Sequence, residues 1–357
     1  MSEPNALRAG IVGVGQAQKQ GSPTAGAYRI GYTHARMYRR TPGFVLTSAA
    51  DIDAANLRAF NDEFDVGGYA SLDELLKHDR PDVVSLCTYV GLHLDMIKAC
   101  VAAGVKGILC EKPLVASPAE LAELRALVAA SGVKIIVPHF RRYRRAFARA
   151  REIISAGEIG QRVIVSAAIG NGWDLSEWGS HWLDMYRFFH DDEMPEWVMA
   201  QARVTDRRGF GHAMEDHAVA VMEFPGGGRA VLETGVHYLN DGVTMTIGGS
   251  RGSIVIRSED KLHVYTDAGA REENFEDADG LLSAWSGMAA DFRDWINGGA
   301  APPLRFDHVA GTAELTMACY VSMVEGNRVD FPLESSAREW LVEELARRHA
   351  SNARPGE

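Results

Sequence analysis

The chain has few cysteines, a deficit of positive charge and no long apolar run. Its 357 residues include four cysteines, at 87, 100, 110 and 319, with no Cys-x-x-Cys pair and no zinc-like spacing. That excludes a disulfide scaffold and argues against a metal–thiolate centre. The thiols lie in apolar stretches such as Leu86-Cys87-Thr88 and Leu109-Cys110-Glu111, and read as reduced and buried. Lys and Arg total 37 against 48 Asp and Glu, and 37 − 48 = −11. Such an acidic chain is a poor match for DNA phosphates or an anionic membrane, so neither nucleic acid nor membrane is an expected partner. No window approaches the ~18 uncharged apolar residues that span a bilayer. Met1 to Gly10 lacks the apolar core of a signal peptide, so a cytoplasmic location is expected.

What is present is ordinary globular composition, 46% hydrophobic and 24% charged, in a chain long enough for two or three domains. The first third alternates short apolar runs with helical segments. Strands are expected at Arg8–Val14, Phe44–Ala50, Asp82–Cys87, Lys106–Cys110 and Lys134–Val137, and helices at Thr33–Arg40, Ser71–His78, His93–Ala103 and Pro118–Ser131. Buried runs of five or six residues separated by helices indicate a parallel, doubly wound α/β sheet. After about residue 140 the pattern changes. A helix at Ala146–Ala156, a strand at Gln161–Ile169 and an aromatic-rich helix at Gly179–His190 precede strand candidates at Glu196–Thr205, His217–Phe224, Gly228–Tyr238, Thr244–Gly248, Gly252–Arg257 and Lys261–Tyr265. Short turns such as Pro225-Gly226-Gly227-Gly228 make this second sheet mostly antiparallel, and the chain returns to helix at Trp285–Gly298 and His308–Glu325. Two domains are therefore expected, over 1–139 and 140–357, with the last helices able to pack back on the first.

Ile11-Val12-Gly13-Val14-Gly15 closes the first strand, where glycines permit a tight turn and close approach of backbone to a pyrophosphate. The fingerprint normally has two residues before its last glycine; here fifteen, Gln16 to Ile30, precede Gly31. The spacing to the acid after the second strand restores it, since 51 − 31 = 20 matches the ~20 residues to a ribose-binding carboxylate. Asp51 would bind the adenosine ribose and repel a 2′-phosphate, and Ile52 offers no cation for one. NAD is expected over NADP. The insertion reads equally as a surface loop, a flap over the cofactor or a contact to a neighbouring subunit.

Glu111-Lys112-Pro113 follows the strand Lys106–Cys110, at the end of a doubly wound sheet that faces the ligand crevice. The stretch Ala102-Ala103-Gly104-Val105-Lys106-Gly107-Ile108-Leu109-Cys110-Glu111-Lys112-Pro113 resembles the signature of the glucose–fructose oxidoreductase, inositol dehydrogenase and rhizopine-catabolism (Gfo/Idh/MocA) family. Further matches run in order: Tyr69 to Leu76, Thr88 with His93, Arg141-Arg142-Tyr143, Gly157-Glu158-Ile159-Gly160 and Gly249-Ser250-Arg251-Gly252-Ser253. The resemblance covers roughly residues 8 to 332. It implies an N-terminal Rossmann domain, a C-terminal α+β domain with an open, mostly antiparallel sheet, and homodimers or homotetramers that pack through that sheet. It also implies hydride transfer between NAD or NADP and a hydroxyl or ketone on a sugar, inositol or related polyol. Thr88, His93 and Glu111 match cofactor-lining positions, and Lys112 matches the catalytic lysine that also contacts the cofactor.

Glu177-Trp178-Gly179-Ser180-His181-Trp182-Leu183-Asp184 resembles the family's Asp-x-Gly-x-His-x-x-Asp, with Glu177 replacing the first Asp. On a continuous helix Glu177, His181 and Asp184 would share one face; alternatively Gly179 marks a start after Glu177. The resemblance makes Lys112 and His181 the groups that approach the reacting hydroxyl, with Glu177 catalytic beside them and Asp184 on the substrate side. The arginine matching the family's junction position is Arg142, placed with the substrate; the other cations of His139 to Arg145 read as surface charges. A basic site would favour a carboxylated, phosphorylated or sulfonated sugar. Trp173, Trp178 and Trp182 cluster nearby, and aromatic faces suit the apolar side of a sugar ring, although core packing is the commoner role. His237 and Tyr238 end a strand and can face the pocket. His212, Glu215, Asp216 and His217 match no firm ligand spacing, so no metal is assigned. The resulting expectation is an NAD-dependent sugar or polyol oxidoreductase. A glycosidase that oxidises and re-reduces its substrate, and a non-catalytic sugar and NAD sensor, are the alternatives.

Overall fold

The computed structural model describes residues 6–15, 29–161, 163–170, 173–236, 243–275 and 281–352. Most of the insertion, residues 16–28, and both His237 and Tyr238 lie outside the described residues. Contacts group the chain into two units: Met1–Val115, Ala122–Phe140 and Asp279–Val309 form one, and Ala116–Leu121, Arg141–Ala278 and Ala310–Glu357 the other.

In the first unit, apolar runs too short for helices make the strands. In chain order the elements are β1 (Leu7–Val12), α1 (Ile30–Arg40), β2 (Phe44–Ala50), α2 (Ala54–Phe64), β3 (Gly67–Tyr69), α3 (Leu72–His78), β4 (Val83–Leu86), α4 (His93–Ala102), β5 (Gly107–Cys110), α5 (Pro118–Ser131) and β6 (Lys134–Ile136). The six strands are parallel, in the order β3-β2-β1-β4-β5-β6. Every residue of β4 and β5 is buried, as expected of strands covered on both faces. The strand order reverses between β1 and β4, and a crevice at the carboxyl ends of such strands is where α/β sheets bind ligands. Two elements escape the sequence pattern. Asp53 accepts the N–H groups of Ala55 and Asn56 and so starts α2. β3, Gly-Gly-Tyr, has no apolar run and exists through its pairing with β2.

A later helix, α8 (Leu281–Ile296), also belongs to this unit. Gly107 in β5 leaves room for it, since a Cβ there would lie 2.6 Å from Ile296 and 2.7 Å from Phe292. Trp285 of α8 packs on His34 and Phe140, with ring centroids 5.1 and 5.4 Å apart.

The second unit is built on a nine-stranded sheet. Its elements are α6 (Arg145–Ser155), β7 (Ile164–Gly170), α7 (Ser180–Phe189), β8 (Trp197–Arg203), the short hairpin β9 (Arg208–Gly209) and β10 (His212–Ala213), β11 (His217–Phe224), β12 (Gly228–Val236), β13 (Val243–Gly249), β14 (Gly252–Arg257), β15 (Lys261–Thr266) and β16 (Gly269–Asn274). Then come α9 (Phe306–Glu325), β17 (Val329–Asp330) and α10 (Leu341–Asn352). The large sheet runs β16-β15-β14-β13-β7-β12-β11-β8-β17, with only β7 and β12 parallel among the paired strands. Strict alternation of burial along β11 shows one face covered and one open. All ten residues of α7 are buried, so this helix lies inside the unit. Among the described residues, no helix is long and apolar enough to cross a membrane.

The basic run before α6 overturns an expectation. Its cations other than Arg142 read as surface charges, yet Arg141 is 2% exposed and donates through Nε and Nη2 to Glu259 at 3.0 and 2.6 Å. Arg144 pairs with Asp260. Arg142 is buried and grips Asp184 bidentately, at 2.7 and 2.9 Å, while a further nitrogen meets Asp192. Thr312 donates a third hydrogen bond to Asp184 at 3.1 Å. The carboxylates sit in folded-over segments distant in sequence, which local patterning cannot show.

Arg142→Ala leaves Asp184 buried without its guanidinium, so it is expected to cost about 3–5 kcal/mol. Arg142→Lys recovers only part of this, because one ammonium cannot reproduce a two-pronged contact. Arg8→Ala, which removes a half-exposed partner of Asp79, costs roughly 0–1 kcal/mol. Urea-denaturation midpoints rank the three variants.

Candidate active site

The carboxyl ends of β1, β2, β4 and β5 bring the expected cofactor residues of the first unit together. Gly13 and Gly15 follow β1 with φ of +83° and +80°. This left-handed conformation is the one glycine adopts without penalty. A Cβ on Gly13 would also lie 2.6 Å from the Cys87 carbonyl. Gly31, in the first turn of α1, packs on this turn: a Cβ there would meet the Val14 Cα at 2.9 Å and the Gly13 carbonyl at 3.0 Å. The structure thus brings the three glycines together despite the fifteen residues between Gly15 and Gly31. Asp51 follows β2. Its carboxylate accepts the N–H of Val14 and of Asp53, both at 2.9 Å, which ties it to the glycine turn. Ile52 beside it is 96% exposed. A cradle that side chains would fill, with a carboxylate beside it, fits a dinucleotide.

Glu111 and Lys112 follow β5. Glu111 is buried and receives a hydrogen bond from His34 Nε2 at 2.9 Å and one from the Lys112 amide at 3.2 Å. Burial alone would raise the Glu111 carboxyl. The His34 hydrogen bond and charge, with the Lys112 ammonium and amide, outweigh it and hold the carboxyl below its ordinary value. Lys112 is half-buried, next to this carboxylate. His34 continues inward through Nδ1 to Ser85 Oγ at 2.9 Å, and Tyr38 meets the same oxygen at 2.8 Å. Sequence reading missed this chain. The available signal was the four-residue spacing of His34 and Tyr38, which puts both on one face of α1.

His93 is placed differently from expectation. It is fully buried, and its ring nitrogens face the Pro113 carbonyl at 2.9 Å and the Thr88 carbonyl at 3.1 Å. Rather than lining a cofactor surface, it ties the turn after β4 to the Glu-Lys-Pro turn. Thr88 itself donates its hydroxyl to Met96 Sδ at 3.4 Å. The thiols are buried in three of four cases, Cys87 being half-buried. Burial pushes Cys100 up to about 12 and Cys87 and Cys110 well above their usual value, so these thiols stay protonated.

In the second unit, Glu177 lies in a π-turn, Leu175–Gly179, and α7 begins at Ser180. The Gly179 N–H reaches back five residues to the Asp174 carbonyl at 3.1 Å, which makes the turn one residue wider than an α-helix. Of the two arrangements open to the sequence, the helix therefore starts after Glu177. His181 stands in the first turn of α7. Trp178 meets it edge to face, with centroids 6.2 Å apart, and packs on Trp173 at 5.4 Å and Trp182 at 6.0 Å. The Arg141 guanidinium lies over Trp182 at 4.1 Å and Trp178 at 5.1 Å. Glu177 and His181 are mostly buried. Arg142 and Asp184, expected to face substrate, spend their polar groups on each other and on Thr312 and Asp192 instead.

The motif His212 to His217 disperses. His217 pairs with Glu233 across the sheet at 3.1 Å, and His212 packs on Trp340. Glu215 turns inward and accepts the Leu175 N–H of the π-turn; among the described residues no group of His, Cys, Asp and Glu is arranged to hold an ion.

The model of the oxidoreductase family with an NAD-binding Rossmann fold, Gfo/Idh/MocA, matches residues 7–139, and that of the family's C-terminal domain matches residues 147–255. An oxidoreductase of Bacillus subtilis is 28% identical over 58% of this chain, and the match spans 64% of that relative's length. An inositol 2-dehydrogenase of Salmonella typhimurium is 25% identical over 90% of this chain and 95% of its own. An inositol dehydrogenase homologue from Azotobacter vinelandii, solved with NADH and myo-inositol, has a TM-score of 0.77 at 20% identity, covering 92% of this chain and 98% of that one, a likeness of fold. The chain belongs to the Gfo/Idh/MocA family of oxidoreductases, with an NAD-binding Rossmann fold at residues 7–139.

Proposed function

We propose that this protein moves hydride between NAD and a secondary hydroxyl carbon of a neutral sugar or polyol, with inositols the first class to try. The observation that carries this reading is the setting of Lys112, at the carboxyl end of β5 beside a Glu111 carboxylate kept ionised in a buried network. His181, beside Trp178, supplies a second proton-handling group from α7. NAD accepts or returns the hydride when bound. Gly13, Gly15 and Gly31 would admit its pyrophosphate, and Asp51 its adenosine ribose. Thr88, Glu111 and Lys112 would border the nicotinamide end.

Lys112 and His181 are assigned the proton of the reacting hydroxyl, one accepting it as the carbon–hydrogen bond breaks. Glu177 orients the His181 imidazole. Trp173 and Trp178 offer aromatic faces to the ring. Arg142, Asp184 and His93 act by holding these elements in place. Because Arg141, Arg142 and Arg144 are engaged by Glu259, Asp184, Asp192 and Asp260, the basic run supplies no ready site for an anionic sugar. The open face of the nine-stranded sheet, where Ile164, Met199 and Tyr265 are exposed, is the proposed surface for pairing of copies into dimers or tetramers.

Purified protein with NAD and a panel of inositols, free sugars and glycosides is expected to accumulate NADH with an inositol or free sugar. Aglycone release from a glycoside without net NADH would instead assign redox-neutral cleavage, and binding without any turnover would assign a sensor. With the active substrate, Lys112→Ala and His181→Ala are each expected to lower kcat by ~10²–10⁴-fold. Near-normal turnover in either folded variant would remove that residue from the chemistry. Asp51 predicts a lower dissociation constant for NAD than for NADP, measured by titration of protein fluorescence. Asp51→Ser narrows the difference, because the repelling carboxylate is gone.

A further inference from the structure

Glu215, in the turn between β10 and β11, is a fully buried acid for which the reaction above has no use. One carboxyl oxygen accepts the Leu175 N–H at 2.6 Å, and both lie 3.3 Å from the Tyr320 hydroxyl. Leu175 is the first residue of the π-turn that carries Glu177 and Trp178 into α7. Asp174, just before it and equally buried, accepts the Glu177 N–H at 3.0 Å and the Ser176 hydroxyl at 2.7 Å. The first amides of a helix have no partner within it, so these two acids do for the turn what a cap does for an ordinary helix. One of them comes from 40 residues further along the chain.

We propose that Glu215 is a positioning residue for the active site: by holding the Leu175 amide it fixes the π-turn and so sets where Glu177 and Trp178 stand relative to His181. The inference rests on the reading of Glu177 and His181 given above. The surroundings make the clamp sensitive to pH. Asp174 faces Glu215 from the turn, and Tyr320 and Cys319 face it from α9, with the thiol and phenol both pushed up by burial and then by the Glu215 charge. Arg207 donates to the Glu215 backbone carbonyl at 3.0 Å, and the adjacent Asp216 accepts the Thr205 hydroxyl. Burial, and then the charge of Asp174, push the Glu215 carboxyl up to about 8. Near pH 7 it is neutral and tolerates Asp174. Above about pH 8 two carboxylates face each other without water, and the turn is driven apart.

Glu215→Gln keeps the size and the acceptor for Leu175 but cannot ionise. Near-ultraviolet circular dichroism of the full chain, recorded from pH 6 to pH 10 without substrate, is expected to show a transition centred near pH 8 in the parent protein and none in Glu215→Gln. Trp178→Phe in the parent background reduces its amplitude. The melting temperature of Glu215→Gln minus that of the parent widens from about pH 5 to pH 8 and is level above. The sign follows from linkage: the folded state binds the proton more tightly, so the parent loses stability as pH rises toward the folded value. With an active substrate, the kcat of the parent falls as pH rises through about 8, and that of Glu215→Gln shows no such fall. Glu215→Ala lowers kcat at pH 7 by roughly 10- to 100-fold, with a smaller change in KM. Should Glu215→Ala fail to fold, Glu215→Gln alone decides. A spectral transition and a kcat profile in Glu215→Gln identical to those of the parent overturn the proposal. The spectral measurement needs no substrate, so a wrong assignment of the reaction leaves it intact, and a flat parent spectrum in an active enzyme overturns Glu215 alone.

Discussion

The two-pronged contact of Arg142 with Asp184 anchors α7, the helix that carries His181. Asp184 lies one turn beyond His181 on α7, and Arg142 lies just before α6. Removing a guanidinium and a carboxylate from water is costly, and the fold recovers it only with matched geometry and further hydrogen bonds. Thr312 supplies such a hydrogen bond, and Asp192 adds a second ion pair. Because the pair is satisfied in one arrangement, α7 is fixed in rotation as well as in position, and the His181 ring is fixed with it. Arg141 adds a second anchor on the same helix, lying across Trp182 while bound to Glu259.

The first unit meets the same constraint with a single buried acid and a chain of hydrogen bonds. Glu111 is buried beside Lys112, and His34, Ser85 and Tyr38 extend inward from it as a connected chain. A buried carboxyl without donors would take up a proton; one with donors stays ionised and presents a negative charge to Lys112. At the other end of the crevice edge, Asp51 is bound to two backbone amides, which fixes its carboxylate where the glycine turn ends. In both places backbone or buried side chains, rather than flexible surface groups, aim the functional atoms.

At several helix and turn starts, backbone donors are met by side-chain oxygens. Asp53 caps α2, Ser71 caps α3 through the Glu74 amide, and Asp174 and Glu215 cap the π-turn. The first two are exposed, local and ordinary. The last is buried and assembled from distant segments, and the proposed positioning role of Glu215 rests on that contrast. A π-turn is one residue wider than an α-turn, and such turns recur at functional sites. Here the π-turn carries Glu177, and α7 after it carries His181 and Asp184.

The sequence by itself determined the doubly wound first sheet, the mostly antiparallel second one, the glycine turn with its acid, and the Glu-Lys-Pro and Trp-Gly-Ser-His motifs. All of these are written in local periodicity or in short fixed spacings, which propensity and strand burial translate directly into structure. The pairing of the chain's buried polar groups was decided only by tertiary structure. Arg141 meets an acid 118 residues away, Arg142 one 42 away, and His34 one 77 away. The short strand β3 and the placing of α8 against Gly107 are likewise products of neighbours rather than of their own residues. The run of arginines looked like surface charge because local pattern records which residues are charged. Only the folded chain decides which opposite charge lies within reach and whether water remains between them.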